Sequence, residues 1–119
     1  MKAPLGCINC EVTFRFSFTD DTTQGVGLYV RSSGGWLTTT NPQGAGYAVF
    51  VEKFRPAGTP NPQVGVWHEV NGNEIQNLPA ANVPTLSASA IHRVRFRVEQ
   101  LNATTTRLRA KAWADAATE

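Results

Sequence analysis

The chain carries one methionine, two cysteines and two histidines in 119 residues, and charged residues make up only 17%. A zinc centre takes about four Cys, His or acidic ligands. Cys7 and Cys10 would have to recruit His68 and His92, the only histidines, or a second chain, to complete one. A thioredoxin-like redox role needs the C-x-x-C motif at a helix start within alternating strands and helices, and that pattern is missing. The pair therefore reads as a short-range disulfide or as two free thiols. Long apolar runs are missing as well. "MKAPLGCINC" has a proline and a polar Asn where a secretory signal would be continuously apolar, so no signal peptide is visible and no membrane insertion is expected. Helical periodicity is the third absence. Apolar residues do not recur at spacings of three and four over any helical length without Pro, Gly or β-branched interruption.

Period-two alternation is abundant. "EVTFRFSFT" puts Val12, Phe14, Phe16 and Phe18 on one face and Thr13, Arg15 and Ser17 on the other, a strand with one dry side. "VGLYVR" reads as a second strand, with Gly25 and Gly27 marking a bulge or a close backbone approach. "YAVFVEKF" is apolar on both alternating sets, which places it near the middle of a sheet. "VGVWHEV" and "EIQNL" flank "NGN", whose Asn71 and Gly72 suit the positive-φ positions of a tight hairpin. "PAANVPTLSASA" is a long connection. "IHRVRFRVEQL" alternates Val94, Phe96 and Val98 inward with Arg93, Arg95 and Arg97 outward, and "RLRAKAWA" repeats the scheme with Arg107, Arg109, Lys111 and Trp113. With 41% hydrophobic residues and a net charge of +2 the chain is neither a disordered tail nor a polyelectrolyte. One all-β domain is expected, an antiparallel β-sandwich or jelly roll covering residues 11–119 behind an N-terminal segment 1–10 that holds the C-x-x-C.

The closing stretch "HRVRFRVEQLNATTTRLRAKAWADAATE" resembles concanavalin A-like, laminin G-type jelly rolls of bacterial extracellular and phage tail or surface proteins. In these, an Arg-rich alternating strand turns through Asn or Thr into "T-x-L-R-A-K-x-W" and a small-residue stretch. "EVTFRFSF", "GVGLYVRSS", "YAVFVEKF" and "VWHEVNGNEI" follow a similar order upstream. The resemblance implies a jelly roll lacking strands at both ends, and hence sheet edges that a neighbouring copy or protein completes.

Catalysis has little to stand on. Jelly-roll glucanases carry clustered acids on one strand, as in Glu-x-Asp-x-x-Glu, and no such group occurs; Glu69 and Glu74 come nearest, with the NGN turn between them. No nucleophile elbow is visible, and His68 beside Trp67 reads as a half-buried sheet residue. Glycan binding is the stronger candidate: Trp36, in a Gly- and Thr-rich loop, leads, with Tyr47 and Trp67 available, although Trp67 and Trp113 read more plainly as covers of the core. Asp20 and Asp21 offer hard ligands to calcium, a frequent companion of this fold, but adjacent acids more often simply make a turn. Arg15, Arg93, Arg95, Arg97, Arg107, Arg109 and Lys111 are expected to share one outward face. The plainer reading is a solvated ladder with Glu52, Glu69 or Glu99 interleaved; the sharper one is an anionic partner such as an acidic polysaccharide or a carboxylate-rich surface. Direct nucleic-acid binding is disfavoured because Phe96 faces away from the basic side. The expectation is a non-catalytic carbohydrate-binding or adhesion module on a cell or virion surface. The alternative is a homo-oligomeric assembly subunit, such as a phage tail, capsid-surface or filament unit.

Overall fold

The computed structural model describes residues 7–19, 24–33, 44–52, 62–76, 79–84, 86–87 and 89–116. Trp36, Asp20 and Asp21, expected above in glycan and calcium binding, lie outside these residues. All regular structure among them is strand: β1 (Cys10–Phe16), β2 (Gly25–Ser33), β3 (Ala45–Glu52), β4 (Gln63–Val70), β5 (Asn73–Gln76), β6 (Ala81–Asn82), β7 (His92–Gln100) and β8 (Thr106–Ala114). They form two antiparallel sheets: a three-stranded sheet ordered β1-β7-β8, and a five-stranded sheet ordered β2-β3-β4-β5 with β6 also pairing β4.

Alternation explains how the sheets meet. Cys10, Val94, Phe96, Val98 and Ala112 from the first sheet and Val30, Val49 and Val51 from the second are buried in one apolar cluster with Phe18 and Leu86. Val12, Phe14 and Leu108 on one side and Leu28, Tyr47, Val64 and Val66 on the other pack against it. Two sheets on one core is the architecture of a β-sandwich. Burying these Val, Phe and Leu side chains is worth about 1.5–3 kcal/mol each, which drives the layers together.

Local details follow the sequence with three differences. Asn71 and Gly72 have φ of 51° and 75°, the paired left-handed conformations of a type I′ turn, and the β4–β5 hairpin closes on them as expected. β1 stops at Phe16, yet Phe18 stays buried beyond the strand end. The irregularity in β2 falls at Arg31, whose φ is 54° and where the pairing register shifts between Val30 and Ser33, rather than at Gly25 or Gly27. Gly27 serves close approach instead: it lies opposite Phe50, and the Phe50 ring occupies the space a Cβ there would need. Finally, the connection after Pro79 contains β6, whose two residues are too few for any periodicity to reveal.

Candidate functional site

In each sheet the residues not spent on the core form an outer face, and the two outer faces have opposite chemistry.

On the three-stranded sheet, register aligns Arg15 with Arg93 and Arg93 with Trp113, Thr13 with Arg95 and Arg95 with Lys111, Glu11 with Arg97 and Arg97 with Arg109, and Glu99 with Arg107. All seven predicted cations share this face. Like charges directly opposite one another repel; acids relieve the three rows that hold such pairs, and the fourth sets Glu99 opposite Arg107. Asp115, just after β8, accepts from both Arg15 and Arg93 and so ties all three strands together at one end. Glu99 lies 2.8 Å from Arg97 and 3.9 Å from Arg109, and Glu11 lies 3.7 Å from Arg95. Of the acids expected to interleave, Glu99 does so. Glu52 and Glu69 belong to the other sheet, and Glu11 and Asp115 take their place. Among the described residues Arg107, though opposite Glu99 in register, and Lys111 form no salt bridge; the Lys111 ammonium sits 5.6 Å from the Trp113 ring centroid. Trp113 is buried, but on this charged face and outside the apolar cluster, so it does not cover the core.

Asp115 also has a titration consequence. Partial desolvation pushes its pKa up, but the hydrogen bonds from Arg93 and Arg15 and their charges outweigh this and leave it below the ordinary value of 3.8. A carboxylate with a lowered folded pKa contributes stability above its unfolded pKa and loses it as pH falls through the folded one. Wild type and Asp115→Asn should therefore differ in Tm at neutral pH and converge as the pH drops through and below 3.8. Thermal melts across that range check this; a gap that persists at about pH 2 would assign the difference to something other than the charge.

The five-stranded sheet turns aromatics and carboxylates outward. Tyr29, Ala48, Trp67 and Gln76 form one row across β2, β3, β4 and β5, and Gly27, Phe50 and Gly65 form the next. The Phe50 ring meets Tyr29 edge-on at 5.9 Å and Trp67 edge-on at 6.1 Å, the arrangement ring quadrupoles favour. Beneath these half-buried rings Ala48 is completely covered. In the row beyond, Glu69 lies directly opposite Glu74. The two-residue turn that appeared to separate these acids instead folds them side by side on one face. Glu69 is only 3% exposed, and Glu74 accepts a 2.7 Å hydrogen bond from the Tyr29 hydroxyl. Burial first, then that bond and the charges of Glu74 and Glu69, push the Tyr29 phenol well above its usual range, so it stays a neutral donor.

No family model, curated protein or solved structure matches the chain. The site must be judged on its own chemistry.

The remaining predicted residues separate. Tyr47 faces the core side of its sheet, opposite to Trp67; its hydroxyl bonds Thr106 at 3.1 Å and the Arg31 guanidinium stacks 5.2 Å from its ring centroid. Tyr47 and Trp67 therefore cannot grip one ligand. His92 is wholly buried against Phe16, and its Nε2 lies 2.7 Å from the Ser87 carbonyl oxygen and 3.3 Å from the Ser87 amide nitrogen. His68 points to the core side of β4, half-buried. Cys7 and Cys10 form a disulfide. Among the described residues no three His, Cys, Asp or Glu side chains gather as metal ligands. Tyr29 and Phe50 were not singled out in the sequence. Parity would have found Tyr29, which falls on the set opposite to Val26, Leu28 and Val30, whereas Phe50 lies on a strand apolar on both sets, where alternation does not choose a face.

Proposed function

We propose that this chain is a non-catalytic β-sandwich of the concanavalin A-like, jelly-roll kind that acts as a binding module on a cell or virion surface, with carbohydrate held on the outer face of the five-stranded sheet. The observation that carries the reading is the platform of Tyr29, Phe50 and Trp67 bordered by the exposed Glu74 and Gln76. Aromatic faces take the apolar face of a sugar ring, and carboxylate and amide groups accept and donate to its hydroxyls. The carboxylates repel uronic or sulfated sugars, so a neutral glycan is the matching class. Trp67→Ala should lower glycan-array signal at least about tenfold, or about 1.4 kcal/mol, while the protein stays folded by circular dichroism. An unchanged array profile would reject the platform. Polysaccharide hydrolysis that disappears in Glu69→Gln would reject the non-catalytic reading.

A second reading, an assembly subunit, draws on a different observation. Among the described residues no strand pairs with the outer sides of β1, β8 or β2, and unpaired strand edges invite neighbours.

A further inference from the structure

The strand edges left unpaired among the described residues differ in what each would meet if a second copy of the chain paired with it. A two-fold contact sets the same strand of both copies antiparallel about an axis, so each residue meets the one equidistant from the strand's centre. Self-pairing along the whole of β8 puts Arg109 opposite the second copy's Lys111, cation against cation. β2 carries Gly25, Gly27 and the irregularity at Arg31, features that blunt an edge. β5 is blunted by its length, four residues. β1 is different. Its seven residues, Cys10–Phe16, centre on Thr13. An axis there sets Glu11 opposite the second copy's Arg15 and Arg15 opposite its Glu11, with Thr13 against Thr13; on the inward side Val12 meets Phe14 and Phe14 meets Val12.

We propose that β1 is a dimer contact: two copies of the chain pair β1 with β1, antiparallel and centred on Thr13, joining their three-stranded sheets into one sheet of six strands. This rests on the assembly reading above and deepens it by naming the edge, the partner and the register. Three observations carry it. First, β1 is self-complementary in charge, because its one acid and one base stand at equal distances on either side of Thr13. Second, both have room for another partner. Arg15 already donates to Asp115, and Glu11 lies 3.7 Å from Arg95, yet their side chains are 57% and 47% exposed, and a guanidinium carries five N–H donors. Third, the inward side chains of β1 are incompletely covered. Val12, Phe14 and Phe16 are half-buried, whereas Val94, Phe96 and Val98 on β7, which has a strand on each side, have no exposed surface. The second copy's β1 extends the inner face past this edge and gives the outward N–H and C=O groups of the strand their partners. A contact of one patch with its own copy closes on itself, so growth through it stops at the dimer. It uses no residue of the aromatic platform.

Two sets of variants test the register. In sedimentation velocity wild type should show a concentration-dependent equilibrium between monomer and dimer. Glu11→Arg and Arg15→Glu each set like charges opposite one another and should weaken the dimer at least about tenfold; mixed one to one they restore opposite charges in both rows and should dimerise with each other. Circular dichroism checks that both stay folded, since Arg15→Glu also gives up the bond to Asp115. Thr13→Cys changes only an exposed side chain and serves whatever the charge reversals do to folding. It places a thiol on the axis, where antiparallel partners lie about 4.5–5.5 Å apart, within disulfide reach. Glu11→Cys stands four residues along the strand from its symmetry mate, about 13 Å away and beyond that reach. After air oxidation, non-reducing electrophoresis should show a covalent dimer for Thr13→Cys and at least about tenfold less for Glu11→Cys. Wild-type oligomers without a Thr13→Cys cross-link would overturn the β1 contact and leave assembly to another edge. Folded charge variants that fail to dimerise in the mixture would overturn the register. A wild-type monomer at every concentration would overturn both this contact and the homo-oligomeric reading, and leave β1 to a strand from a different protein.

Discussion

Replacing Phe96 by alanine should lower the melting temperature by about 10–20 °C, the largest loss expected of any single substitution on β7. Phe96 is the largest fully buried side chain among the described residues, with no exposed surface. It lies on the central strand of the three-stranded sheet, opposite Val12 on β1 and Ala110 on β8. Truncation removes the transfer energy of the ring and leaves a cavity, which together cost about 3–5 kcal/mol. Ala110 has no side chain to spare, and β7 is hydrogen-bonded on both sides, so the backbone cannot collapse into the gap. Against a total stability of about 5–15 kcal/mol this is a large fraction. Phe96→Leu should lose much less, because it keeps most of the volume. A loss below about 1 kcal/mol in the alanine variant, measured by denaturant titration, would mean that the two sheets do not share a tightly packed interior.

The second large effect falls on the binding platform. A methyl group at Gly27 would come 2.5 Å from one Phe50 ring carbon and 2.6 Å from the next, inside any real contact distance. Gly27→Ala should therefore swing the Phe50 ring off the strand and break its edge-on contacts with Tyr29 and Trp67. Each such aromatic pair is worth about 0.5–1.5 kcal/mol beyond its buried area, so the expected cost is about 1–3 kcal/mol. The change is informative because Gly27 itself supplies no functional group. Near-ultraviolet circular dichroism should lose its aromatic signal from the platform while the far-ultraviolet strand signal remains, and glycan binding should fall with it. Retained aromatic ellipticity with normal binding would show that the ring finds another seat and that the platform does not depend on it.

Both variants also separate the two faces of the molecule. Phe96 acts through the interior and should weaken every property in proportion to unfolding. Gly27 acts through one outer surface and should leave the Arg-rich face, including the Asp115 clamp on Arg15 and Arg93, intact.

The sequence by itself determined the class of structure and the two sides of each strand. Val94, Phe96 and Val98 had to face inward and Arg93, Arg95 and Arg97 outward, since the side-chain period of a strand is two and only one set can leave water. Asn71 and Gly72 determined the hairpin in the same local way, because few other residues accept left-handed φ at both turn positions. The pairing of Glu69 with Glu74 was implicit in that turn, and counting residues outward from it yields their register. What tertiary structure decided was which strands lie side by side. The neighbourhood of Arg15 and Arg93, the choice of Asp115, Glu11 and Glu99 rather than Glu52 and Glu69 to relieve the cations, and the removal of Tyr47 from any shared site with Trp67 all depend on sheet order and on which sheet a strand joins. Those depend on contacts between residues up to a hundred positions apart, such as Arg15 with Asp115. Alternation says only that a strand has a wet face; it carries no information about which other wet face will lie beside it or on the far side of the core.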